Sequence, residues 1–282
     1  MPDYRQRSIA SRRISVAFAA ALITVLIACG GSSSPTSLSL QSSSTPPPPS
    51  PGVLAQALPI TQDSTNFTFH YLSGDSVDPP HEEAWYAWAI AHLGVLSPQK
   101  IQYYKYISLG QMEQITGQAG GGWADPPDFS VHTIYPWMGH EVVHVLTALV
   151  GRPTDFFNEG IAVSMQVDPY APNPTLALWN GVPLDVITRA ALAAGQLPQV
   201  QNMADTASFR VIPDTSGYPW AGSFLQFVVT NYGMSRTLDF FRGGRGREEP
   251  LGMITSRFEQ VYGVSLTDAD LAWRAYLTNL QN

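Results

Sequence analysis

Cysteine, lysine and long apolar runs are all scarce in this chain, and each scarcity removes a class of protein. A single cysteine in 282 residues allows neither an intramolecular disulfide framework nor a multi-cysteine metal site. Basic residues number 15 against 22 acidic ones, a net charge of −7. That balance argues against nucleic acid as a partner, because phosphate binding needs clustered Lys and Arg. Charged residues make up only 13%, a level that would suit a membrane protein if the apolar residues ran together. They do so once, in the fifteen residues Ile14 to Ala28. As a helix that run spans about 22 Å, short of the ~30 Å hydrocarbon core. With 44% apolar residues there is ample material for a buried core.

What is present begins with an address. Arg5, Arg7, Arg12 and Arg13 precede the apolar run. A basic segment followed by a short apolar one reads as an export signal, residues 1–28, that is removed. The run ends Leu26-Ile27-Ala28-Cys29-Gly30, which resembles the bacterial lipobox, where cleavage precedes the cysteine and its thiol is acylated. The alternative is an ordinary secretion signal with an incidental cysteine. On the lipoprotein reading Cys29 ties the protein to the membrane of the cell envelope, the outer membrane if the bacterium is diderm. Loss of the leader moves the net charge from −7 to about −10, so acyl chains rather than electrostatics would do the anchoring. Residues 29–52 hold nine Ser and six Pro and read as a tether that cannot bury apolar surface. One folded domain is expected over residues 53–282.

Within that domain Asn66–Leu72 alternates and predicts a strand. Asp78 is placed to cap a helix that has Pro79 and Pro80 in its first turn, carries Trp85, Trp88 and Leu93, and stops at Gly94. Lys100–Ile107 reads as a strand and Gln111–Thr116 as a short helix; the glycine-rich loop 120–122 leads into a third strand, Phe129–Tyr135. From there the periodicity is helical: Trp137–Val150, Phe156–Val167, Pro183–Ala194, Trp220–Tyr232, Leu251–Tyr262 and Leu266–Leu280. Gly151, Gly195, Gly233 and Gly263 stand just past helices, where left-handed caps are wanted. Strands early and helices late predict an α+β fold.

The chemistry is concentrated in His140-Glu141-Val142-Val143-His144. On a helix, histidines four apart share a face, and both imidazoles can reach one Zn²⁺ at ~2.0–2.1 Å. Glu141 is offset by one residue, suited to take a proton from a water that the ion activates rather than to bind the ion. The competing reading is a buried helix with two structural histidines, which would cost several kcal/mol unless each polar group were paired. A third ligand is needed. A metzincin extension would require Gly at 147 and His at 150; Thr147 and Val150 exclude it. The next carboxylates are Asp155 and Glu159. Asp155 is placed to cap the following helix, which favours Glu159, one turn further in.

At this point the chain resembles the gluzincin metallopeptidases, and among them the peptidase MA-like family: an HExxH, a brief loop, then a helix with an aromatic residue and Glu-Gly-x-Ala, here Phe157 and Glu159-Gly160-Ile161-Ala162. Looser similarity extends from about Asn66 to the C-terminus. The resemblance implies a zincin-like fold, a small twisted N-terminal sheet with an edge strand over the active-site helix followed by a mostly helical half. It also implies a zinc site of His140, His144 and Glu159, Glu141 as general base, and Tyr218 as the donor to a developing oxyanion, with a core role as the alternative for Tyr218. The implied activity is hydrolysis of a peptide or protein substrate.

One departure stands out. Related enzymes often place an acidic residue four after the third ligand to orient a histidine; here that residue is Val163, which leaves Asn158 as a candidate. Strand Phe129–Ile134 is expected to be the edge that pairs with substrate backbone. His132 on it is expected at the surface rather than in the cleft, His70, His81 and His92 to be structural, and Trp85 and Trp88 to be core. Two other functions remain open: a lipid-anchored, catalytically inactive zincin-fold protein that binds or assembles envelope components, and a zinc hydrolase acting on a non-peptide amide.

The anchor is testable by itself. Cys29→Ser removes the lipid acceptor and should leave the protein soluble or uncleaved; unchanged membrane fractionation and mass would rule the lipobox out.

Overall fold

Prolines and aspartate open the first long helix as anticipated, but the chain begins its ordered course slightly earlier. Helix α1 (Pro51–Ala57) starts inside the segment expected to be tether, and strand β1 (Ile60–Asp63) follows it. Strand β2 (Phe67–Tyr71) buries Phe67 and Phe69 on one face. Helix α2 (Pro79–Leu93) is capped by Asp78, whose carboxylate accepts the His81 N–H, and closes on Gly94 at φ 72°. Then come β3 (Ile101–Lys105), α3 (Leu109–Thr116), β4 (Gly122–Asp125), β5 (Ser130–Thr133), α4 (Gly139–Ala148) and α5 (Asp155–Ser164). A hairpin of β6 (Leu178–Trp179) and β7 (Val182–Pro183) precedes α6 (Leu184–Ala193), α7 (Thr206–Arg210), α8 (Asp214–Tyr232), α9 (Met234–Arg242), α10 (Leu251–Tyr262) and α11 (Leu266–Asn279). The protein is α+β. This computed structural model describes residues 49–171 and 176–280; the export signal, Cys29 and most of the 29–52 tether lie outside them. Among the described residues no helix is long and apolar enough to cross a membrane.

The sheet runs β1-β2-β3-β5-β4, with β2, β3 and β5 parallel and both outer strands antiparallel to their neighbours. Alternation splits it into two faces. Phe67, Phe69, Tyr103 and Val131 point toward α2 and α4 and join Trp85, Val142 and Leu146 in the main core. Tyr104 and Tyr106 point the other way and meet Leu54 of α1, Leu58 just past it and Met112 of α3. This corrects two expectations. Strand β5 is interior, between β3 and β4, so the edge beside α4 is β4. His132 is neither on the surface nor in the cleft: it is 2% exposed and stacks on Trp123 (4.3 Å between ring centroids) on the face away from α4. Burial pushes its pKa down to about 3, so it stays neutral, with Tyr106 Oη 2.8 Å from Nδ1 and Ser130 Oγ 3.2 Å from Nε2.

Glycines in the helical half serve close approach as much as capping. Gly263 and Gly195 do adopt left-handed backbone (φ 77° and 69°). Gly151 does not: it is placed where a Cβ would lie 2.1 Å from the Phe241 carbonyl oxygen, so its role is contact between the α4–α5 link and the end of α9. Gly233 has φ 88° and ψ 151°, an extended link from α8 into α9 rather than a left-handed cap. Gly160 lets α5 sit against Ala221 of α8, where a Cβ would lie 2.8 Å from the carbonyl oxygen. Helix α8 also starts a turn and a half before Trp220, at Asp214, and continues through Pro219. Tyr218 is thereby inside the helix, held against α5.

The start of α4 is supported from α2. The N-cap position, Met138, has no side-chain cap of its own; its N–H donates instead to Glu82 Oε2 (2.7 Å). Glu82 is fully buried, and burial above all, with the charges of Glu83 and Asp78, raises its pKa to about 8 against the pull of that N–H. A carboxyl that holds its proton more tightly when folded stabilises fully below its unfolded pKa near 4.5 and loses that contribution as pH rises toward 8. Glu82→Gln keeps an acceptor for Met138 and cannot ionise. Between pH 5 and 8 the variant should therefore gain a few kcal/mol on the wild type, read from urea midpoints; parallel pH profiles would show that Glu82 ionises alike folded and unfolded.

Candidate metal centre

Helix α4 buries Val142, Val143 and Leu146 against the sheet and turns His140 and His144 the other way. The two rings meet edge to face, 4.9 Å between centroids, with their Nε2 atoms 3.2 Å apart. The chain then turns through Arg152, Pro153 and Thr154 into α5, which brings Glu159 across from α4. Glu159 Oε2 lies 3.2 Å from His140 Nε2 and 3.2 Å from His144 Nε2. Three donor atoms thus form a triangle of equal sides. Ligands at ~2.0–2.1 Å in tetrahedral array around one ion are about 3.3–3.4 Å apart, so the triangle fits a small divalent cation. His140, Glu141 and His144 also offer ligand atoms within 4.8 Å of one another. The equal and shorter distances make Glu159 the better third donor, and leave Glu141 beside the group rather than in it. The buried Nδ1 of His144 has no hydrogen-bond partner among the described residues.

The two carboxylates differ in character. Glu141 is 6% exposed, and its pKa is pushed up to about 7, chiefly by burial, with His140 pulling it down and Glu159 pushing it up. It can exchange a proton near neutrality. For Glu159 burial also works upward, but His144 and His140 outweigh it and hold the carboxyl well below its usual range. Against Glu141 lies the edge strand: a Cβ on Gly122 of β4 would sit 2.9 Å from Glu141 Oε1. Only glycine lets the strand come this near the carboxylate.

Behind Glu159 stands a residue for which the sequence carries no signal. Arg210, the last residue of α7, donates from Nη2 to Glu159 Oε1 (2.9 Å), from Nη1 to Tyr218 Oη (2.9 Å) and from Nε to Asp155 Oδ2 (2.6 Å). It lies 51 residues beyond Glu159, on a five-residue helix with no periodicity to reveal it. Asp155 is accordingly not a helix cap: Thr154 occupies that position, and the Asp155 carboxylate, 1% exposed, faces Arg210 and Arg247. Asn158, buried beside the site, makes no hydrogen bond with His140, His144 or Glu159; Arg210 orients the carboxylate instead. Tyr218, its ring 6.2 Å from that of His140, accepts from Arg210 and so keeps its own O–H proton to donate. Burial first, then the Glu159 charge, raises its pKa, which keeps that proton in place.

His140, Glu141, His144, Asn158, Glu159, Arg210 and Tyr218 line one cleft of about 1320 Å³, whose walls include β4, the β6–β7 hairpin and the start of α8. His70, His81 and His92 stand apart from it: His70 Nε2 is 2.9 Å from Gln102 Oε1, His81 stacks on Trp137, and His92 Nδ1 is 2.7 Å from the Trp88 carbonyl oxygen. Trp85 is fully buried, as expected, while Trp88 is only half-buried. No family model and no curated protein matches this chain.

The convergence of donors can be checked on the purified protein. A divalent cation in excess should raise its unfolding midpoint by mass action, a chelator should reverse this, and His144→Ala should abolish the response; a midpoint indifferent to metal would show that the triangle holds no ion.

Proposed function

We propose that the protein is a zinc-dependent peptidase of gluzincin type with a zincin-like fold, held at the bacterial envelope by lipid on Cys29. The observation that carries this reading is the equal 3.2 Å spacing of His140 Nε2, His144 Nε2 and Glu159 Oε2, beside a buried carboxylate that is not part of the triangle. His140, His144 and Glu159 would hold the ion. Zinc in such a site supplies Lewis acidity, polarising a carbonyl and lowering the pKa of water toward ~7.

The remaining steps belong to the chain. Glu141 takes the proton of the attacking water and, with its pKa near 7, can return it to the leaving amine. Tyr218 donates its O–H to the oxygen on which charge develops. Arg210 keeps the Tyr218 hydroxyl and the Glu159 carboxylate in register, and Asp155 offsets its charge so that a cation can sit nearby. Strand β4, with an unpaired edge along the cleft, offers backbone groups to an extended substrate. Gly122 keeps that edge clear of Glu141.

Three variants separate these roles. Glu141→Gln should retain zinc and lower peptide cleavage by at least ~10²-fold, the low end for loss of a general base. Glu159→Gln replaces an anionic donor with a neutral one and should weaken zinc most. Asp155→Asn leaves every donor in place but exposes the cation to an uncompensated Arg210, a loss of about 10-fold in affinity. Zinc affinity by competition with a chelating dye, alongside cleavage of a mixed peptide library, decides. Zinc lost with Asp155→Asn but kept with Glu159→Gln would misplace the third ligand, and zinc bound with no peptide cleaved would favour a non-catalytic binding protein.

A further inference from the structure

Three arginines, Arg152, Arg210 and Arg247, line the cleft, and they are not equivalent. Arg210 is spent: its Nε and both terminal nitrogens donate to Asp155, Tyr218 and Glu159. Arg247 donates only from Nε, to Asp155 Oδ1 (3.0 Å), and its side chain is 51% exposed. Its two terminal amino groups have no partner among the described residues. Arg152, exposed, has no side-chain hydrogen bond or ion pair there at all.

Both free forks are rooted on backbone that cannot drift. The Gly246 N–H donates to the Arg152 carbonyl (2.7 Å), and residues 152 and 245 form a parallel bridge. Gly244 lies so close that a Cβ there would be 2.6 Å from the same oxygen. Loop 243–249 is fastened at its far end by Glu249, 3% exposed, which pairs with Arg257 and accepts the Arg245 N–H. Arg152 and Arg247 therefore rise from adjacent, pinned segments at the end of α4 and open onto one cleft. In a chain of net charge −7, Arg152 has no acidic partner among the described residues and Arg247 spends only its Nε on Asp155, so the pair retains free donors for an anion.

We propose that Arg152 and Arg247 form a subsite that binds a carboxylate of the substrate, either the C-terminal carboxylate of a peptide or an Asp or Glu side chain. This rests on the peptidase reading for the identity of the substrate. Planar guanidinium forks match carboxylates in geometry. The anion sits beyond Asp155 and Arg210 from the metal ligands, so it fixes where the peptide lies without touching the reacting atoms. The chemistry is that of substrate selection: an acidic or free C-terminus is preferred to a neutral, amidated one.

The test uses the zinc-loaded protein and short N-acetylated, alanine-rich peptides in three forms: amidated with no acidic residue, amidated with one Glu at each position in turn, and with no acidic side chain but a free C-terminal carboxylate. Binding is read on the Glu141→Gln protein from tryptophan fluorescence, since Trp85, Trp123, Trp137 and Trp179 line the cleft; cleavage is read on the wild type. At least one acidic form should bind about 10-fold more tightly than the neutral amide, with the preference shrinking as salt rises. The preferred form distinguishes the side-chain from the terminal carboxylate. Arg152→Gln, which touches nothing that holds the metal, should erase the preference, and Arg247→Lys should retain part of it. Equal binding of all forms, binding of none, or a preference that survives Arg152→Gln overturns the subsite. Selective binding without any hydrolysis leaves the subsite standing and removes the peptidase reading instead.

Discussion

The Glu159 carboxylate faces two ways, and the arrangement around it depends on both. One oxygen is shared between the imidazoles of α4, and the other accepts from Arg210 of α7. A buried carboxylate is costly unless each oxygen is paired, and here the pairing links four helices: α4, α5, α7 and, through Tyr218, α8. Asp155 completes the set by offsetting the Arg210 charge from the same helix that carries Glu159. The protein thus surrounds a carboxylate with cationic and donor groups on every side, an environment that suits a metal ligand.

That convergence requires backbone to come unusually near backbone. Helix α5 reaches α8 because Gly160 has no Cβ to meet Ala221, and Gly222 of α8 likewise clears Val163, where a Cβ would lie 2.5 Å from Cγ1. Gly139 opens α4 beneath Trp85, with 2.2 Å to the ring from a notional Cβ, and Gly122 brings the sheet edge over Glu141. These four glycines are not in left-handed conformations; they are places where a methyl group would push apart the elements that build the cleft. The second residue of the Glu159-Gly160 pair has the same kind of physical role as the first has a chemical one.

Much of the fold was legible because its signals are local. Asp78, Pro79 and Pro80 state where α2 begins, Gly94 where it ends, and the alternation of Phe67 and Phe69 states a strand. The misses were also physical. Strands β1 and β4 are four residues each, too short for alternation to register, and overlooking β4 turned β5 into a supposed edge. The periodicity predicts a helix only from Trp220, yet α8 begins at Asp214 and, packed against α5 and α6, runs through Pro219. His132 read as a surface residue, because nothing local says that Trp123 and Tyr104 will enclose its ring.

At the site the division is equally clear. Histidines at i and i+4 with a glutamate between them declare their chemistry in the sequence, because helical geometry alone puts both rings on one face. Glu159 follows within one loop and one helical turn. By itself, then, the sequence determined the donor types and which carboxylate stands offset from the two histidines. What only the tertiary structure decided was the surroundings of those groups: which edge covers Glu141, that Asp155 serves Arg210 rather than a helix end, and that Arg210, Tyr218, Arg152 and Arg247 share the cleft. The arginine contacts to Glu159 and Asp155 span 51 to 92 residues and depend on the packing of α5 against α8 and of loop 243–249 against the α4–α5 link, and no periodicity or spacing along the chain encodes a distance that only packing closes.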